Sequence, residues 1–149
     1  MGVEIEHKFL VRRERLPRRL PSGVKIKQGY LAVKPVVRVR LITNARRTTA
    51  FLTIKGPGLR QRSEFEYAIP VCDARTLLRL CGSRVIQKIR RQFGPWELDE
   101  FRGRHRGLWL AEVELKSRHD LLPKRPAWIG KEVTNNRRFS NAVLAMNEL

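Results

Sequence analysis

Acidic side chains recur at every second position in several short segments of this sequence, and this spacing is suited to binding a metal ion. Glu4 and Glu6 form one such pair, and Glu112 and Glu114 form another. Residues two apart lie on the same face of a β-strand, and carboxylate oxygens are the ligands that Mg²⁺ and Mn²⁺ prefer. The pairs therefore predict faces able to hold a divalent ion, with salt bridges to nearby arginines as the alternative.

Basic side chains alternate in the same way on other segments, and this pattern indicates a phosphate-rich ligand. Their charge neutralises phosphate oxygens, and the planar guanidinium group of arginine contacts two of those oxygens at once. The candidate phosphate-binding residues are Lys8, Arg38, Arg40, Lys55, Arg62, Lys88 and Arg90. A solvated basic surface is the alternative for any one of them.

The overall charge also favours an anionic ligand. The 149 residues include 32 basic and 14 acidic ones, which gives a formal charge of +18, far more than solubility requires. The length predicts a single domain over residues 1–149. Weak, nonspecific association with nucleic acid or polyphosphate is expected through surface arginines. The arginines expected outside the site are Arg12, Arg13, Arg18, Arg19, Arg102, Arg104 and Arg106.

The sequence shows no pattern of export or membrane insertion. No amino-terminal segment combines a basic stretch, an apolar stretch and a small-residue cleavage site, and no run of about 18 apolar residues occurs. Cys72 and Cys81 lack the spacing of a metal-binding pair and are predicted to be buried free thiols. We therefore expect a soluble, cytoplasmic protein.

Strands dominate the predicted secondary structure, because charged and apolar residues alternate with a period of two. The predicted strands are Val3–Val11, Lys25–Ala32, Val36–Leu41, Phe51–Lys55, Arg62–Ile69, Lys88–Arg91, Trp96–Asp99 and Trp109–Lys116. One helix is predicted from an Asp73 cap to Cys81, where Gly82 ends it, and a second from Ser140 to Glu148. The stretch 120–129 is ambiguous because two prolines interrupt it.

These elements predict an α+β protein that is mainly antiparallel β. An open sheet with one solvated face is the simplest alternative. Closing eight strands into a barrel removes exposed edges and leaves an interior that can hold a small ligand. We therefore expect a closed eight-stranded barrel with a charged lumen. The helices near Asp73 and Ser140 are expected to cover part of its apolar outer surface.

The order of these charged segments resembles a known family. The run Glu4-Ile5-Glu6-His7-Lys8 is similar to the ExExK signature of the CYTH superfamily, the triphosphate tunnel metalloenzymes. The stretches that resemble the later strands and the tail of that family are Gln28-Gly29-Tyr30-Leu31, Val37-Arg38-Val39-Arg40, Leu52-Thr53-Ile54-Lys55, Arg62-Ser63-Glu64-Phe65-Glu66, Glu97-Leu98-Asp99, Glu112-Val113-Glu114, Trp128-Ile129-Gly130-Lys131-Glu132-Val133-Thr134 and Phe139-Ser140-Asn141. The resemblance covers nearly the whole chain and, within the superfamily, is strongest to bacterial inorganic triphosphatases.

The resemblance implies an eight-stranded tunnel and an enzyme that hydrolyses phosphoric anhydrides with Mg²⁺ or Mn²⁺. It implies that Glu4, Glu6, Glu112 and Glu114 bind the metal, with Glu64 and Asp99 as weaker candidates for a second ion. The seven candidate phosphate-binding residues would then hold a triphosphate. Lys88 is also expected to orient the attacking water, which places it with Glu4 and Glu6 among the catalytic residues.

Two other functions fit the same sequence. The substrate could be a nucleoside or thiamine triphosphate, or ATP cyclised by a class IV adenylyl cyclase, because those enzymes share the fold. A polyphosphate or nucleic-acid binding protein without enzymatic activity would also account for the charge of +18. The paired glutamates argue against this last function, because they would repel the anion. A monomer and a homodimer are equally compatible with the sequence.

Overall fold

Nine β-strands, two α-helices and three short 3₁₀ helices make up the part of the chain that the structure describes. The structure is a computed structural model and describes residues 2–146. The strands are β1 (Gly2–Val11), β2 (Val24–Val33), β3 (Val36–Thr43), β4 (Thr48–Lys55), β5 (Gln61–Ala68), β6 (Val85–Phe93), β7 (Trp96–Arg102), β8 (Trp109–Leu115) and β9 (Ile129–Glu132). The helices are α1 (Val71–Leu80) and α2 (Asn141–Met146).

Eight of the strands close into a barrel in which every neighbouring pair is antiparallel. Their order is β5-β4-β3-β2-β6-β7-β8-β1, and β1 also pairs with β5, which closes the ring. The closed antiparallel barrel predicted from the sequence is therefore confirmed. The ninth strand was not predicted: β9 pairs with the carboxyl-terminal half of β1, beyond the part of β1 that pairs with β5.

The inward-facing side chains change from charged to apolar along the barrel. On each of β1, β6, β7 and β8, a charged residue lies two positions from an apolar one. The pairs are Lys8/Leu10, Lys88/Ile86, Asp99/Phe101 and Glu112/Leu110. Tyr30, Ile86, Phe101, Leu110, Leu144 and Ala145 form one buried cluster at that end. Because Leu144 and Ala145 belong to α2, the terminal helix closes one end of the lumen.

The placement of α2 differs from the prediction that it would cover the outer surface. It begins at Asn141, and the last predicted residues of this helix lie outside the described residues. Its short length gives it little stability of its own. The buried side chain of Leu144 packs into the apolar end of the barrel instead, and burying a leucine contributes about 2 kcal/mol.

The helix α1 does cover the outer surface, as predicted. Ala74 and Leu78 pack against Val39, Leu41 and Ala50 on the outer faces of β3 and β4. The helix begins at Val71, so Asp73 lies in its first turn and is not the predicted cap. An acidic side chain there still interacts favourably with the positive end of the helix dipole. The left-handed φ of 61° at Gly82 ends the helix as predicted.

The opposite side of the barrel is covered by irregular chain. Phe9, Trp96, Leu98, Ala111, Val113, Trp128 and Ile129 form the buried cluster on this side. The ambiguous stretch 120–128 contains no regular element, and it places Trp128 over the barrel. Cys81 is buried as predicted, whereas the prediction is wrong for Cys72, which is exposed. No helix within residues 2–146 is long and apolar enough to cross a membrane.

Candidate functional site

A cavity of about 760 Å³ occupies the charged part of the lumen. Its size lies within the range of small-molecule sites. The charged residues that line it are Glu4, Glu6, Lys34, Arg38, Arg40, Lys55, Arg62, Glu64, Glu66, Arg90, Glu97, Glu112, Glu114 and Arg137. Most of these residues alternate on the strands, so the period-two spacing of the sequence directs them inward.

The acidic residues gather on one side of the lumen, which we call the acidic wall. It consists of Glu64 on β5, Glu4 and Glu6 on β1, Glu112 and Glu114 on β8, and Glu97 and Asp99 on β7. These four strands are consecutive in the ring. Glu6 lies directly opposite Glu114 in the strand register, and Glu112 lies opposite Glu97. Like charges at such short separation repel each other unless cations lie between them.

The remaining strands carry what we call the basic wall. It consists of Lys88 and Arg90 on β6, Arg38 and Arg40 on β3, and Lys55 on β4. The guanidinium group of Arg40 donates to Gln28 Oε1 at 2.8 Å, and that of Arg38 donates to Thr53 Oγ1 at 3.1 Å. Burial, together with repulsion by neighbouring arginines, lowers the pKa of Arg40 to about 9. Within residues 2–146, the other cations of this wall each lie within 4.0 Å of a carboxylate, whereas Arg40 does not. An anionic ligand would offset the repulsion on Arg40.

Glu4 is held by two cations at the border between the walls. Lys55 Nζ lies 2.6 Å from one of its carboxylate oxygens, and Arg62 Nε lies 3.2 Å from the other. Burial alone would raise the pKa of Glu4, but the attraction of Lys55, with further contributions from Glu64 and Arg62, brings it down to about 2. Glu4 is therefore ionised throughout the physiological range.

Glu112 is paired less completely. Lys8 Nζ and Arg90 Nη2 each lie 3.3 Å from its carboxylate oxygens. Burial opposes ionisation, but Lys8, Arg90 and Lys88 hold the pKa of this carboxyl well below its usual range. The oxygen Oε1 is buried and accepts no hydrogen bond from the described residues. Lys8 therefore contacts this oxygen as an ionic partner without a well-formed hydrogen bond.

Lys88 and Asp99 lie beneath the floor of the cavity rather than on its surface. Lys88 Nζ is 2.8 Å from Asp99 and donates to Asn141 Oδ1 at 3.1 Å, and the side chains of both Lys88 and Asp99 are 0% exposed. Arg90 also makes two hydrogen bonds to Asp99, of 2.7 and 2.8 Å. Burial, outweighing the attraction of Asp99, lowers the pKa of Lys88 to about 7. Asp99 thus orients two cations of the basic wall.

Glu6 is the least compensated carboxylate of the acidic wall. Within residues 2–146, no lysine or arginine nitrogen lies within 4.0 Å of its carboxylate oxygens. Burial and repulsion by Glu112 and Glu4 raise its pKa to about 8. Glu114, across the register, also has a raised pKa, because of burial and repulsion by other carboxylates.

This donor set fits a divalent metal ion. It offers carboxylate oxygens only, as a hard cation prefers. The raised pKa of Glu6, which has no lysine or arginine nitrogen within 4.0 Å among the described residues, indicates missing positive charge. Among the described residues, no three potential ligands already converge as a metal site. Lys8, Lys55, Arg62 and Arg90 occupy the oxygens of Glu4 and Glu112 instead.

The carboxyl-terminal segment adds polar residues to the cavity that were not among the predicted site residues. Arg137 and Asn141 come from the carboxyl-terminal segment and reach the cavity from the closed end of the barrel. The neighbouring carbonyl oxygen of Phe139 accepts a hydrogen bond of 3.0 Å from Lys8 Nζ. Neither residue belongs to an alternating segment, so no pattern in the sequence distinguishes them from surface residues. His7 bonds to Glu132 at 2.7 Å, away from the cavity.

Two known proteins with sequences similar to this chain are inorganic triphosphatases. An inorganic triphosphatase from Acetivibrio thermocellus is 40% identical over 155 aligned residues, which cover 99% of this chain and 96% of the relative. An inorganic triphosphatase from Nitrosomonas europaea is 34% identical over 153 residues, covering 97% and 98%. No protein-family model matches the chain.

Solved structures show the same architecture. The crystal structure of the inorganic triphosphatase NE1496 is 31% identical and superimposes with a TM-score of 0.66, covering 99% of this chain and 97% of that one. The PH1819 protein from Pyrococcus horikoshii, at 20% identity, a TM-score of 0.51 and coverage of 82% and 80%, shares the fold alone.

The closed barrel and the similarity to inorganic triphosphatases together identify a hydrolase of phosphoric anhydrides of the triphosphate tunnel class. The similarities of sequence and of fold both extend over nearly the whole length of the chain. The chain belongs to the family of inorganic triphosphatases.

Proposed function

We propose that this protein hydrolyses inorganic triphosphate to pyrophosphate and phosphate inside the lumen, with Mg²⁺ or Mn²⁺ as cofactor. The observation that supports this proposal is the division of one cavity of about 760 Å³ into facing acidic and basic walls. A phosphate chain between the walls would neutralise the arginines, and a metal ion would neutralise the carboxylates.

The basic residues of the cavity would bind and orient the phosphate chain. These residues are Arg38, Arg40, Lys55, Arg62 and Arg90, with Arg137 added by the terminal segment. Phosphoryl transfer depends on positioning and on stabilising the charge of the equatorial oxygens. Preorganised guanidinium groups supply both, because Arg90 and Arg38 are already held by Asp99 and Thr53. Lys8, beneath Glu112, would act by holding that carboxylate.

The acidic wall would hold the metal ion through Glu4, Glu6, Glu112 and Glu114. Glu64 and Asp99 remain the weaker candidates, and Asp99 already has two cationic partners. When bound, a divalent ion would polarise the phosphoryl oxygens and promote ionisation of the attacking water. Lys88, the other predicted catalytic residue, would orient that water only after exchanging its present partners, Asp99 and Asn141.

Phosphate release from inorganic triphosphate, ATP and thiamine triphosphate, each with Mg²⁺, Mn²⁺ or a chelator, tests the proposal. We expect metal-dependent release that is fastest from inorganic triphosphate. Arg40→Gln should lower kcat/KM by at least about tenfold, because it removes a charge-assisted contact to the phosphates, whereas the exposed control Arg47→Gln should not.

Other outcomes would assign the protein to one of the alternative functions. Faster turnover of ATP or thiamine triphosphate would make it an enzyme for those substrates, and formation of cyclic AMP would make it a cyclase. Binding of triphosphate without turnover would make it a binding protein.

We also propose a cytoplasmic location and a single domain over residues 1–149 that is active as a monomer or a homodimer. The free thiols support this location, because a reducing compartment preserves them. The arginines expected outside the site do lie away from the cavity. They would give weak association with nucleic acid or polyphosphate that decreases with salt.

A further inference from the structure

A second cavity, of about 580 Å³, lies on the outside of the barrel. We call it the outer cleft. It runs between the carboxyl-terminal half of α1 and the turn that follows β7, and it shares no lining residue with the lumen cavity. The residues that line it are Lys27, Leu41, Arg75, Leu78, Arg79, Gly82, Ser83, Val85, Ile86, Gln87, Arg102, Gly103, Arg104 and His105.

The charge of the outer cleft is entirely basic. Five lysine or arginine side chains line it, and none of the residues that line it is acidic. Lys27, Gln87 and Arg102 are register neighbours on the adjacent strands β2, β6 and β7, so they form one row across the outer face. Arg75 and Arg79, one helical turn apart on α1, lie on the facing side. A concave surface of one sign concentrates the opposite ion.

Several of these arginines are already anchored by neighbours outside the cleft. Arg79 donates to Thr76 Oγ1 at 3.2 Å, and Arg104 donates to the carbonyl oxygen of Ala145. Arg102 Nη2 lies 3.3 Å from Glu100, while its Nε is buried and finds no hydrogen-bond acceptor among the described residues. Anchored side chains lose little conformational entropy when a ligand binds.

We propose that the outer cleft is a second binding site, separate from the lumen, for a short phosphate chain such as pyrophosphate or triphosphate. The guanidinium groups match phosphate oxygens in bidentate geometry. The cleft is concave and has basic side chains on two facing sides, so a short phosphate chain can contact both sides at once. The site does not depend on catalysis in the lumen, so it can be tested separately from the proposed function.

Titration of the ¹⁵N-labelled full chain with pyrophosphate in chelator separates the two sites. Backbone amides of Ser83 and Gly103 report on the outer cleft, and that of Gly56 reports on the lumen. We expect the amides of Ser83 and Gly103 to shift with a saturable curve of their own. The same titration is repeated with triphosphate and with ATP. Binding of ATP with neither inorganic anion would contradict a site for the phosphate chain itself.

The double variant Arg75→Gln/Arg79→Gln tests the residues of the site. Both side chains are exposed, so the fold should persist. We expect affinity at the cleft amides to fall about tenfold or more, with unchanged titration of Gly56 and unchanged kcat/KM for triphosphate. The matched control, Arg18→Gln/Arg19→Gln, removes the same charge from exposed positions outside the cleft. Absence of saturable shifts at Ser83 and Gly103, or equal weakening in the control, would overturn the proposal.

Discussion

Replacing Glu6 by glutamine should stabilise the metal-free protein while weakening metal binding. Burial and repulsion by Glu112 and Glu4 raise the pKa of this carboxyl from 4.5 to about 8. At pH 7 the unfolded chain would carry Glu6 ionised, and the folded protein must either protonate it or hold it as an anion. Above pH 4.5, the ordinary pKa of the group, Glu6 lowers the free energy of unfolding by about 1.36 kcal/mol per pH unit. At pH 7 this loss reaches about 3 kcal/mol.

The sign of the pH dependence follows from the direction of the shift. Because the pKa of Glu6 is raised in the folded state, its contribution favours folding below pH 4.5 and is lost as the pH rises towards about 8. The stabilisation by Glu6→Gln should therefore be under about 1 kcal/mol at pH 5 and reach about 3 kcal/mol at pH 7. Glu4, whose pKa is about 2, titrates below this window.

Urea denaturation in chelator and in millimolar Mn²⁺ measures both effects. The parent protein should gain stability from Mn²⁺, because the ion binds only the folded state, and Glu6→Gln should lose most of that gain together with triphosphatase activity. Glu14→Gln is the matched control, since Glu14 is exposed and lies away from the lumen. If Glu6→Gln is no more stable than the parent in chelator at pH 7, the assignment of uncompensated charge to Glu6 is wrong.

Three further changes test other parts of the site. Asp99→Asn should destabilise the protein by about 3 kcal/mol or more in urea denaturation, because it leaves Lys88 buried without a carboxylate and removes the two-bonded partner of Arg90; a loss no larger than that of the partly exposed Glu97→Gln would contradict this role. Leu144→Ala should lower the free energy of unfolding by about 2 kcal/mol or more, since it opens a cavity in the apolar end of the lumen, whereas the half-exposed Met146→Ala should change it little. Lys88→Met should reduce kcat for triphosphate more than it raises KM if Lys88 orients the attacking water, and an unchanged kcat would exclude that role.

The alternation of side chains allowed much of the lumen to be predicted. A strand directs residues two apart to the same face, so Glu4 and Glu6, or Arg38 and Arg40, had to lie together whatever the neighbouring strands were. The strand boundaries extended beyond the predicted ones, for instance to Phe93 on β6 and to Arg102 on β7. The residues at these strand ends do not alternate between charged and apolar, so the pattern could not reveal them, although the backbone pairing continues through them.

The sequence by itself thus determined the strand-rich class, seven charged-faced strands with a less clearly patterned eighth, and the identity of most inward-facing residues. Only the tertiary structure decided which strands are neighbours, and hence that the carboxylates form one wall and the cations another. It also decided that the short helix carrying Leu144 closes the lumen and that Arg137 reaches the cavity. Side-chain spacing is a local property of the strand, whereas ring order and the position of a short terminal helix depend on the burial of apolar surface between residues far apart in the chain.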